Sequence, residues 1–157
     1  MVALSEQDVS LFIPHRATMQ MLSRVVRGEA DVTEGELDIL PDNPFCFNGR
    51  IAAVTGIEWM AQVVAAHGGL EAWREGRDAD VGFLLGTPKC TVAVAYFEPG
   101  QRLRIRAEKI WGDEEMLQFH CTIHDRADDR EVMSGNLNVF RPRDLQGYVS
   151  AGEGSGA

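Results

Sequence analysis

The chain has 157 residues, 45% of them hydrophobic and 25% charged, with a formal net charge of −9. That is enough apolar material for one globular domain with a full core, and too much for a disordered chain. The acidic balance argues against nucleic acid, whose phosphates demand a basic surface, and no apolar run is long enough to cross a bilayer.

In chain order, Ser5 is a good N-cap and Val9, Leu11 and Phe12 follow at helical spacing, which predicts a short helix over Ser5–Phe12 stopped by Pro14. Glu6 and Asp8 in that stretch, with no basic start, predict no export signal and hence a cytosolic location. Met21–Arg27 and Asp31–Leu40 read as strands of a hairpin turning at Gly28-Glu29-Ala30. A loop through Pro41 and Pro44 then leads by Asn48-Gly49-Arg50 into a helix from about Val54 to Arg74. Val54, Ile57, Met60, Ala61, Val63 and Val64 cover nearly its whole circumference, the mark of a buried helix. Val81–Gly86 and Cys90–Tyr96 read as two strands parted by Thr87-Pro88. Gln101–Trp111, Met116–His124 and Glu131–Phe140 follow as strands. Leu103, Ile105 and Ala107 share one face, and Leu117, Phe119, Cys121 and Ile123 share another. From Gln146 the chain is rich in Gly, Ser and Ala, so residues 1–145 form the expected domain and 146–157 a mobile tail. One helix segregated among antiparallel strands predicts an α+β domain of about six strands curved around it.

Glu58 and Gln62, four residues apart, lie one above the other near the start of that helix. A carboxylate on a buried helix must be hydrogen-bonded or protonated, and such burial raises its pKa toward the range of a general acid. The structural alternative is an ion pair of Glu58 with Arg50 or Arg16. Cys46, Cys90 and Cys121 read as small buried hydrophobes. A zinc set of Cys90, His120, Cys121 and His124 fails, because His120 and His124 on one strand stand about 13 Å apart. No metal is expected.

Two segments carry a likeness to a known family. Ile13-Pro14-His15-Arg16, followed by Met19, Leu22, Arg24 and Val25, resembles the Pro-His-Arg opening of the hot-dog-fold 3-hydroxyacyl-carrier-protein dehydratases, the FabZ/FabA group. Glu58-Trp59-Met60-Ala61-Gln62 is similar to the Glu-x-Met-Ala-Gln of their central helix. Gly82-Phe83-Leu84-Leu85-Gly86-Thr87 and Leu137-Asn138-Val139-Phe140 look like the ApeP-like branch linked with aryl polyene pathways. The chain departs from the family where its catalytic His stands in a Gly-His-Phe-Pro-Gly loop. The corresponding place here reads Asn48-Gly49-Arg50-Ile51, and no histidine lies between His15 and His67.

The resemblance implies a hot-dog fold, no cofactor, and dehydration of a 3-hydroxyacyl thioester on the phosphopantetheine arm of an acyl carrier protein. It also implies a dimer with active sites formed across the subunit boundary. Glu58 is the expected acid/base and Gln62 its orienter, with Gly56 offering an amide to the thioester oxygen. Arg50 stands in the vacated place. His15 is expected to be chiefly structural, with a catalytic role as the alternative, and His67 a packing or interface residue. Arg102, Arg104 and Arg106 on one strand face are a candidate carrier-docking patch, or a solvated face balanced by neighbouring acids. A non-catalytic subunit paired with an active dehydratase is the alternative function, and a thioesterase a weaker one.

Overall fold

The computed structural model describes residues 2–153. Its strands are β1 (Arg24–Gly28), β2 (Val32–Asp38), β3 (Cys46–Phe47), β4 (Arg50–Ala52), β5 (Phe83–Val92), β6 (Tyr96–Phe97), β7 (Arg102–Gly112), β8 (Met116–Asp125) and β9 (Arg130–Phe140), with helices α1 (Gly56–Arg74) and α2 (Leu145–Glu153). Six strands form one antiparallel sheet in the order β1-β2-β7-β8-β9-β5, and β3-β4-β6 form a second, small one. The larger sheet and its single long helix are the expected α+β hot-dog arrangement.

The helix is enclosed because two surfaces cover it. Leu103, Ile105 and Ala107 of β7 and Phe119, Cys121 and Ile123 of β8, all 0–1% exposed, form the floor on which α1 packs. Gly35 of β2 admits this approach, since a Cβ there would meet Val63 and the Leu22 side chain. The N-terminal segment crosses the other side: the backbone of Phe12 occupies the space a Cβ on Gly69 would need, and Phe12 and Ile13 are fully buried.

That segment is not the helix expected over Ser5–Phe12. It is two 3-10 turns, Leu4–Glu6 and Val9–Leu11, because the Asp8 carboxylate accepts the Ser10 N–H at 2.9 Å and starts a new turn mid-way. The first strand begins at Arg24 rather than Met21, because the amides of Met21 and Leu22 both donate to Gln62 Oε1 at 3.0 Å. The stretch before α1 is a hairpin, not an open loop. Asn48 and Gly49 take φ of +52° and +73°, a two-residue turn that pairs Phe47 with Arg50.

The two strands expected about Thr87-Pro88 are one, β5. It lies at the sheet edge, where Pro88 is tolerated, and its register with β9 shifts between Gly86 and Lys89. Helix α2 occupies much of the stretch expected as a mobile tail, and residues 154–157 lie outside the described residues. Of the cysteines, Cys121 is buried and its thiol pKa is pushed up to about 12 by that burial, but Cys90 on the edge strand is exposed. No helix among the described residues is long and apolar enough to cross a membrane.

Candidate active site

Gln62 is the anchor of the site. Its amide is fully buried and fully used: Oε1 accepts the two amides of Met21 and Leu22, while Nε2 donates to the Met19 carbonyl at 2.7 Å and to Glu58 Oε1 at 3.0 Å. The side chain therefore ties the N-terminal segment to α1 and fixes the carboxylate one turn back.

His15 reaches the same oxygen from that segment, with Nε2 3.4 Å from Glu58 Oε1. Its position is set by Arg16, whose guanidinium donates to the carbonyls of Ile13 (2.6 Å), His15 (2.8 Å) and Ser10 (3.1 Å) and so closes the loop on itself. Among the described residues, His15 Nδ1 is buried without a hydrogen-bond partner. A buried N–H without an acceptor is costlier than a bare lone pair, so the proton belongs on Nε2, facing the carboxylate.

Glu58 is half-buried, its side chain 33% exposed. The hydrogen bond from His15 draws its pKa below the ordinary glutamate value; burial opposes this, and the Gln62 hydrogen bond assists. The sequence-based expectation of a raised pKa is thus reversed. Burial alone would raise it, but two donors on one oxygen favour the ionised form. The pair opens onto a cavity of about 280 Å³ that follows α1 past the small residues Ala61, Ala65 and Gly68. Leu117, Phe119 and Val139 line its sheet side, and Glu71, Lys109 and Arg141 are also on its wall.

Other expected site residues stand elsewhere. Gly56 donates its amide to the carbonyls of Ala53 and Val54, in the 3-10 turn that runs into α1. Its missing Cβ makes room for the Met133 side chain, so the glycine serves packing and its amide is not offered to a thioester. Arg50 lies 4.3 Å over the Tyr96 ring on the small sheet and makes no ion pair with Glu58 among the described contacts. Arg102, Arg104 and Arg106 face Asp38, Glu36 and Glu34 across β2. Arg104 also pairs with Asp129 at 3.4 Å, and Arg106 with Glu108 at 2.6 Å and Glu34 at 3.6 Å. This is a balanced strand face rather than a free basic patch. His120 bonds Asn136 at its exposed surface.

His67 is the site residue that helical counting missed. Expected as a packing or interface residue, it lines the same cavity as Glu58. Its position beside β8 could be read only with the sheet in place.

The domain is a hot-dog fold with a hydrogen-bonded carboxylate at a cavity beside its long helix. The model of the ApeP-like family, described as ApeP dehydratase, matches residues 7–150, and the chain belongs to that family. No curated protein sequence matches. Among solved structures, the dehydratase heterocomplex ApeI:P from Xenorhabdus doucetiae is similar with a TM-score of 0.83 at 23% identity, over 92% of this chain and 97% of that one. Cj0977, a sigma28-regulated virulence protein of Campylobacter jejuni, gives 0.65 at 13% identity, covering 87% and 98%. A hypothetical thioesterase with coenzyme A from Streptococcus pneumoniae gives 0.56 at 11%, covering 76% and 84%. At these identities the structural likeness speaks for the fold.

Proposed function

We propose that this chain dehydrates a 3-hydroxyacyl thioester, carried on acyl carrier protein, to the trans-2-enoyl thioester. The observation that carries the reading is Glu58, with one oxygen held by His15 and Gln62 at the head of the cavity. The ionised carboxylate takes a proton from C2 of the substrate through its other oxygen. The C2–H electron pair becomes the C2–C3 double bond as the C3–O bond breaks. The departing hydroxide takes back the proton Glu58 has just gained and leaves as water, so the carboxylate is regenerated and atoms balance. His15 acts through Glu58, keeping it ionised and aimed; it is a positioning residue.

A second reading rests on the ApeI:P heterocomplex. The chain works as one half of a pair with another dehydratase subunit, which supplies the acid or the oxyanion donors that Gly56 does not offer here. One experiment separates these readings: the purified chain, alone and with such a subunit, is incubated with 3-hydroxyacyl carrier protein and the product weighed. Loss of water by the chain alone supports the first reading, and loss only with the partner supports the second. Release of free acid would mean a thioesterase. No change in either mixture would overturn the proposal.

A further inference from the structure

His67 has a place in two cavities. The cavity headed by Glu58 and a second one of about 340 Å³, between α1 and the β1–β2 turn, share His67, Glu71 and Lys109 in their walls. The imidazole stands on the wall that the two share. Nδ1 lies 2.9 Å from Thr33 Oγ1, and Thr33 lines only the second cavity. The opposite contact is edge-on to Phe119 at 5.2 Å between centroids, and Phe119 lines only the first. Thr33 is fully buried, so its hydroxyl is a fixed post. Burial and the neighbouring Lys109 both lower the His67 pKa, favouring a neutral ring in this partition.

Distance gives the partition a consequence. Nine residues of helix separate Glu58 from His67, a rise of about 14 Å. Ala61, Val64, Ala65, Leu117, Phe119 and Val139 on the cavity wall suit an alkyl chain. Glu71, Asp80, Lys109, Asp113 and Arg141 also stand on the wall, and beside them a terminal methyl gains nothing from burial. The second cavity sets Ala30, the buried Leu70 and the stem of Arg74, whose head is held by the Gly28 carbonyl at 2.8 Å, beside the charged Glu29, Glu71, Glu75 and Lys109.

We propose that the His67 ring, held between Thr33 and Phe119, is the stop that sets the length of acyl chain this cavity accepts. The inference rests on reading the cavity as the acyl site. Chains that end before His67 are buried in full; longer ones must enter the charged rim or displace the ring.

The test measures binding of saturated acyl-pantetheine amides, which carry no hydroxyl and undergo no dehydration, so it does not depend on turnover. Calorimetry on the purified chain should show decanoyl bound tighter than hexanoyl, and tetradecanoyl no tighter than decanoyl. In His67→Ala, tetradecanoyl should gain at least about tenfold over decanoyl, because its added methylenes reach the second cavity. His67→Phe keeps the bulk without the hydrogen bond and should keep the cut-off, which guards against misfolding of the alanine variant. An affinity that keeps rising through tetradecanoyl in the unaltered chain would overturn the proposal. So would an unchanged ratio in His67→Ala, the same relaxation in His67→Phe, or no binding of any chain. Dehydration measured in parallel keeps the two ideas apart: a cut-off without turnover sinks the enzyme reading alone, and turnover without a cut-off sinks the stop alone.

Discussion

At the residue scale, one oxygen atom carries most of the proposed chemistry. Glu58→Gln keeps the shape and the hydrogen bond to Gln62 but removes the titrating group. It should lower dehydration by at least about 10²-fold with the fold intact, read by turnover and by circular dichroism. Because the folded carboxyl pKa is depressed, this group stabilises the fold above its unfolded value of 4.5, and that contribution fades as pH falls through the folded value. Melting temperature should therefore drop less between pH 6 and pH 3, as about-unit choices bracketing an ordinary glutamate, in Glu58→Gln than in the unaltered chain. His15→Ala returns the carboxyl toward its ordinary value, so the acid limb of kcat/KM should move to higher pH. A loss of stability with the limb unmoved would leave His15 structural. Gln62→Leu orphans two buried amides, at about 1–3 kcal/mol each, and should depress the melting temperature more than either change.

At the element scale, the small sheet and the N-terminal turns are held by local backbone chemistry. Asn48-Gly49 is legible as a hairpin turn, since that dipeptide is the strongest short-range turn signal, and the structure pairs Phe47 with Arg50 across it. Gly49→Ala should cost about 1 kcal/mol from its φ of +73° alone, with open space for the methyl, and a denaturant titration would measure it. Thr87-Pro88 shows the converse. Read locally the pair is a break; placed at a sheet edge it is only a register shift, and the sequence does not say which strand is the edge.

At the scale of the molecule, β5 pairs with β9 and is an edge of the larger sheet among the described residues, and it carries Leu84, Leu85 and Val92, 42–56% exposed. A long apolar edge is a liability that pairing removes. The chain should therefore run as a dimer or larger, alone or with a second dehydratase subunit, in light scattering at micromolar concentration. Leu85→Lys should weaken that assembly. A monomer throughout would count against an edge-to-edge pair and against a shared active site.

Periodicity by itself determined the α+β class, the central helix and the inward faces of β7 and β8, because burial imposes a spacing that each segment carries within itself. The Glu58–Gln62 pair was legible for the same reason, as two residues one helical turn apart. What only the tertiary structure decided were contacts between segments distant in the chain. Among these are His15 brought onto Glu58 by a strand-free crossing at Gly69, and His67 set between two cavities. The direction of the Glu58 pKa belongs with them. Burial can be guessed from composition, but the donor that weighs most against it, His15, comes from elsewhere in the chain, and its approach is fixed only when the segment from Ser10 to Leu22 is laid across the helix.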